Sequence, residues 1–146
     1  MNNSFEDQLN KYGFLVYTNV GDSMLPLRRE NRELMVIQRK GIDRCKKYEA
    51  VLYRRTTGQY VMHRILKVRE HDYVLCGDNR WQRETGVTDS QILGVMTAII
   101  RDGKEHRVTS AVYRLYVHLW CDFFWIRAFV LHIKAMALRI VRKYKT

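Results

Sequence analysis

The feature that most limits how this chain can fold is a change of pattern at Thr109-Ser110. From Phe14 to Arg107 apolar residues come in short runs rich in β-branched and aromatic side chains, separated by charged or glycine-containing turns. From Ala111 to Thr146 neither glycine nor proline interrupts the chain. Short bounded runs bury their apolar residues as strands, whereas a long unbroken run does so as helix. The sequence therefore predicts a compact, mainly β domain over residues 1–109 and a basic, aromatic helical tail, of one or two helices, over residues 110–146. Strands are predicted over Phe14–Asn19, Glu33–Arg39, Ala50–Arg55, Gln59–Val68, Tyr73–Cys76 and Ile92–Arg101, with Thr57-Gly58 and Asp102-Gly103 as hairpin turns. A short helix is predicted over Ser4–Lys11, with Ser4 and Asp7 in capping-box spacing and Gly13 ending it. Ser110 is a natural cap for the tail.

Composition narrows the class. With 146 residues, 47% of them apolar, the chain can bury a core without disulfides or a structural metal. Cys45, Cys76 and Cys121 are odd in number, widely spaced and outside any Cys-x-x-Cys pattern, which speaks against a disulfide framework or a zinc site. Cys76 reads as a small buried apolar residue. His71, His106, His118 and His132 have no partner at ligand spacing, so no metal or cofactor is expected. The first ten residues have no basic and apolar leader pattern, and no run of about 18 uncharged apolar residues occurs. A cytoplasmic protein, in contact with membranes at most from the side, is the expectation.

The formal charge of +11 suits nucleic acid, an anionic membrane or an acidic substrate. Seven basic residues against Asp122 alone place +6 of it after Ser110. Taken as one helix at about 100° per residue, the tail has no clean amphipathic face, because Arg127 and Lys134 lie opposite Arg114, His118, Asp122, His132 and Lys143. Two readings stand: an interfacial helix or bent pair resting on an anionic bilayer through Trp120, Phe123, Phe124, Trp125 and Phe129, or a helix packed on the β domain or a second subunit.

A serine that cleaves peptide bonds needs a rigid exposed turn, a general base and donors for the oxyanion. Gly21-Asp22-Ser23-Met24-Leu25-Pro26 supplies the first: Gly21 permits a tight turn and Pro26 stiffens the exit, while the backbone N–H of Ser23 is a candidate oxyanion donor. Met24 and Leu25 read as pocket or core residues. In Tyr60-Val61-Met62-His63-Arg64-Ile65-Leu66 strand alternation sets His63 on the opposite face from Met62 and Arg64. Histidine is the natural base, since a neutral imidazole accepts a proton without an extreme environment. Cys76-Gly77-Asp78-Asn79 brings the carboxylate of Asp78, and Glu84 follows. Arg80 and Trp81 either border a groove or pack at a sheet edge.

In order and local wording these segments resemble the type I signal peptidases, within the wider set that includes the self-cleaving repressor cores. GDSMLPLRRENREL resembles the serine box, YVMHRILKV the histidine box of the endoplasmic-reticulum and archaeal type, and VLCGDNRWQRE the Gly-Asp-Asn box. The resemblance spans roughly residues 17–99, and the family's N-terminal membrane anchor is not expected here. It implies a catalytic core of antiparallel strands and a serine endopeptidase with Ser23 as nucleophile, His63 as base, and Asp78 or Glu84 orienting the histidine. In the family a second acid shortly after Gly-Asp-Asn is the usual third member, and Glu84 is its nearest equivalent. The implied substrate is a peptide or precursor protein held as an extended strand. Two rivals remain: a noncatalytic relative that binds a peptide or partner on the same scaffold, and a nucleic-acid regulator. No nucleic acid is expected, because no helix-turn-helix precedes the core and repressor cores use lysine as base.

Overall fold

The structure is a computed structural model that describes residues 4–18, 24 and 33–144. The chain is mainly antiparallel β sheet, with a short helix at one end and two helices at the other. Helix α1 (Phe5–Tyr12) starts at Ser4, whose side chain accepts from the Asp7 N–H while the Asp7 carboxylate accepts from the Ser4 N–H. Gly13, at φ 78°, closes it by donating to the Leu9 carbonyl. Among the described residues eight strands follow: β1 (Phe14–Tyr17), β2 (Glu33–Arg39), β3 (Ala50–Arg54), β4 (Tyr60–Val68), β5 (Tyr73–Cys76), β6 (Glu84–Val87), β7 (Ile92–Arg101) and β8 (Lys104–Arg107). The two hairpin turns are those expected from sequence. Gly58 sits at φ 88°, and Asp102-Gly103 turns with both residues at positive φ, as a two-residue hairpin loop requires.

The strand order is β1-β2-β7-β3-β4-β5-β6, with β8 also paired to β7. Strand β7, the longest, has β2 along one side; β3 and then β8 share the other, meeting its first and second halves. The sheet is buried on both faces at its centre. Alternate residues of β3 enter different clusters: Ala50 and Leu52 pack with Leu9, Leu15, Met35, Ile37, Met62 and Met96, whereas Val51 and Tyr53 pack with Ile65, Tyr73, Leu75 and Val87.

Two strands have no apolar pattern to announce them. Strand β8, Lys-Glu-His-Arg, is exposed throughout, and β6 contains Gly86 at φ 79°. Both form because the neighbouring strand offers an unpaired edge.

The tail is two helices, α2 (Ala111–Asp122) and α3 (Phe124–Tyr144), separated at Phe123, whose φ/ψ of −94°/39° leaves the helical region. Ser110 caps α2 by accepting from the Tyr113 N–H. Helix α2 covers one face of the sheet, burying Val117 and Cys121 and adding Tyr113 and Tyr116 to the first cluster. Helix α3 starts on the protein through Phe124 and Arg127, both buried, and is otherwise largely exposed. Among the described residues no helix is long and apolar enough to cross a membrane.

Gly94 is the tightest point of the β2–β7 pairing. A Cβ there would lie 2.6 Å from Ile37 Cγ2 and 2.7 Å from the Gln38 carbonyl oxygen. Gly94→Ala is expected to destabilise the protein by about 1–3 kcal/mol through overpacking. Gly41→Ala, where a Cβ meets nothing within 4 Å, is the control and is expected to leave the denaturation midpoint unchanged or slightly raised.

Candidate functional site

Strand β4 sorts its side chains by alternation. Met62 and Arg64 face α2, while His63 and Ile65 face the second cluster. Adjacent residues in one strand therefore serve two separate polar networks.

The first network is centred on Arg64 and Asp78, whose side chains are both 0% exposed. Asp78 lies just beyond β5, which pairs with β4 so that Arg64 is opposite Cys76. The pair is bidentate: Arg64 Nε donates to Oδ1 at 2.8 Å and Nη2 to Oδ2 at 2.7 Å. Arg64 Nη1 donates to the Tyr48 carbonyl and the Tyr113 hydroxyl, Tyr116 donates its hydroxyl proton to Asp78 Oδ2, and Trp120 Nε1 donates to the Asp78 carbonyl. Burial disfavours the Arg64 cation, but the Asp78 charge and hydrogen bonds outweigh it and raise its pKa well above the ordinary value. Among the described residues, the hydrogen bonds of the Asp78 carboxylate go to Arg64 and Tyr116.

The second network surrounds His63, which is 8% exposed. Glu84, the first residue of β6, places Oε2 3.7 Å from His63 Nδ1. Between them stands the Tyr53 hydroxyl, 2.5 Å from Glu84 Oε2 and 3.2 Å from His63 Nδ1. Arg55 grips the same carboxylate with two bonds, Nε to Oε1 at 2.9 Å and Nη2 to Oε2 at 2.7 Å. Burial opposes ionisation of Glu84, yet the hydrogen bonds from Arg55 and Tyr53 prevail and hold it below the usual carboxylate range. Burial and the adjacent carboxylate push the Tyr53 phenol well above its ordinary pKa, so it keeps its proton.

This order of donors assigns the histidine tautomer. The Tyr53 proton is committed to Glu84, so the phenol oxygen presents a lone pair to His63, and Nδ1 must be the protonated nitrogen. The basic lone pair is then on Nε2. Burial, only partly offset by Glu84, lowers the imidazole pKa to about 4, so His63 is neutral at neutral pH.

Of the expected site residues, His63 and Glu84 are brought together, and Asp78 is held by Arg64 on the other face of β4. Ser23 lies outside the described residues. Its neighbour Met24 is 1% exposed in the first cluster, which also contains Leu52 and Met62. Tyr53 and Arg55, which complete this network, were not among the residues expected at the site. Tyr53 looks like any core aromatic in a strand, and its one signal is the i, i+2 spacing that puts Arg55 beside it. Trp81, 46% exposed, meets the His132 ring edge-on at 5.8 Å, so it packs against α3. Cys76 is buried, with its thiol pKa raised by that burial. No group of three or more His, Cys, Asp and Glu side chains among the described residues could hold a metal ion. No family model matches the chain, nor does any curated protein or solved structure.

The two networks make different demands on stability. Asp78→Ala leaves a buried guanidinium without its counter-ion and is expected to cost about 3–5 kcal/mol in denaturant unfolding. Glu84→Gln is expected to cost about 1 kcal/mol, because its partner Arg55 is one-third exposed and can turn to water.

His63 also gives stability a pH dependence. Its folded pKa of about 4 lies below the unfolded value near 6.5, so between these values the unfolded chain binds more protons. The contribution is fully present above about pH 6.5 and is lost as pH falls through about 4, amounting to about 3 kcal/mol in all. His63→Gln is expected to remove this part of the slope, measured by urea unfolding at several pH values across that window.

Proposed function

We propose that the protein is a serine endopeptidase resembling type I signal peptidases, with Ser23 as nucleophile and His63 as general base. The observation that carries this reading is the environment of His63: a buried, neutral imidazole whose Nδ1 side is tied to Tyr53, Glu84 and Arg55. That arrangement leaves the Nε2 lone pair as the basic one. A structural histidine needs no such backing, whereas a base that must become cationic in a transition state gains from an ionised carboxylate behind it.

In this mechanism Nε2 takes the Ser23 hydroxyl proton as the oxygen attacks the scissile carbonyl carbon. The tetrahedral intermediate places its oxyanion on backbone donors that include the Ser23 N–H. The imidazolium is stabilised through Nδ1–H, the Tyr53 oxygen and the Glu84 carboxylate, and it returns its proton to the leaving amine. Water then enters by the same base and hydrolyses the acyl-enzyme. Glu84 rather than Asp78 is the orienting acid, and Asp78 supports the site through Arg64.

The substrate is a peptide or precursor protein bound in extended form. The sheet path ends at β1 and β6, and a main-chain ladder on such an edge gives affinity with little demand on side-chain identity. The enzyme would act in the cytoplasm or at a membrane surface.

A fluorophosphonate probe tests the reading. Labelling is expected at Ser23 and is abolished by Ser23→Ala. His63→Gln is expected to slow it about 10²–10⁴-fold, the usual scale for a lost general base. Glu84→Gln and Tyr53→Phe are expected to slow it by about tenfold or more and to mix the His63 tautomers seen in ¹⁵N spectra. Folded protein that takes no label at Ser23 would rule out the peptidase and leave a peptide-binding scaffold.

A further inference from the structure

The break at Phe123 changes how the tail's residues are phased. Counted from Phe124 alone, α3 has two unlike sides. The inner side carries Phe124 and Arg127, both buried, with Ala128, Leu131 and Ala135 half-buried. At about 100° per residue, Ile126, Phe129, Val130, Ile133, Met136 and Ile140 fall within about a third of the circumference on the opposite side. All six are exposed, from 49% for Ile133 and Met136 to 67% for Phe129. The outward face of α3 is thus an apolar stripe in solvent, the reverse of a helix that ends at its protein contact.

The charges beside the stripe say what covers it. Lys134 flanks one border and Lys143 the other, with Arg139 next beyond Lys143 and Arg142 on the inner side past the protein contact; all are exposed. No acidic residue occurs after Asp122. A second copy would bring an identical cationic helix, and a net charge of +11, against the first. An anionic bilayer offers acyl chains to the stripe and phosphate and carboxylate to its borders. No described helix is able to cross a membrane, so this one would lie along it.

We infer that α3 docks the protein on the surface of an anionic membrane, with Ile126, Phe129, Val130, Ile133, Met136 and Ile140 in the acyl boundary and Lys134, Arg139 and Lys143 at the headgroups. The inference does not depend on the peptidase reading. Trp125, 78% exposed at the edge of the stripe, is a built-in reporter.

The full chain is mixed with phosphatidylcholine vesicles with and without phosphatidylserine, and binding is read by co-sedimentation and by tryptophan emission. Each cation near an anionic surface contributes about a fivefold gain, so phosphatidylserine is expected to tighten binding about 100-fold. High salt is expected to reverse most of that gain. Lys134→Glu with Arg139→Glu should lose at least about tenfold on anionic vesicles. Phe129→Asp with Ile133→Asp should lose binding to both vesicle types. Both pairs are exposed, so circular dichroism melts should match the parent. Ser23→Ala should bind as the parent does, which separates this result from that of the serine probe. Binding indifferent to phosphatidylserine, or unmoved by either double variant, would overturn the inference. So would a lipid-free dimer in sedimentation equilibrium that Phe129→Asp with Ile133→Asp dissociates, since the stripe would then belong to a second copy.

Discussion

The ion pair between Arg64 and Asp78 is the interaction on which the rest of the structure depends. Two fully buried charges are costly unless each hydrogen-bonding position is filled. Here the filling comes from two separate parts of the chain: the Tyr48 carbonyl before β3, and the Tyr113 and Tyr116 hydroxyls of α2. Sheet and helix are joined by this need more than by shape. Because Arg64 follows His63 in an extended strand, fixing one guanidinium on the α2 face fixes the imidazole on the other.

The histidine network is built on a different economy. Glu84 comes from a four-residue edge strand, which alone would position it poorly. Its geometry is set from β3 and the residue after it instead, where Tyr53 and Arg55 reach the same carboxylate. The acid is held by two neighbours in sequence rather than by its own strand. That arrangement keeps a negative charge beside His63 while burial keeps the imidazole neutral.

Much of the fold could be read from the sequence because its central strands alternate or run apolar between clear turns, and because Ser4, Gly13 and Ser110 are strong helix punctuation. Strands β6 and β8 could not be read, since their pairing follows from a vacant neighbouring edge and not from their own residues. Two helices were among the expectations for the tail, but the place of their division at Phe123 was hidden: no glycine or proline marks it, and treating the tail as one helix scrambled the phase of its faces. In the site, His63 and both acids stood out as residue types in suggestive order. Their division into two networks did not, because it turns on which face of β4 each partner approaches. Tyr53 was invisible for a related reason, as an aromatic in a strand belongs by default to the core.

The place of β7 has a consequence for how the chain becomes a protein during synthesis. Its partners β2 and β3 end at residues 39 and 54, but β7 begins only at residue 92. Until it has left the ribosome, β2 and β3 have no common neighbour, while β3, β4, β5 and β6 can pair as successive hairpins. The early chain is therefore a half-sheet with an open flank and with Arg64 and Asp78 still wet. Closure of the sheet and burial of the charges both wait for the last third of the sequence, which makes this a fold of long-range contacts that forms late and cooperatively.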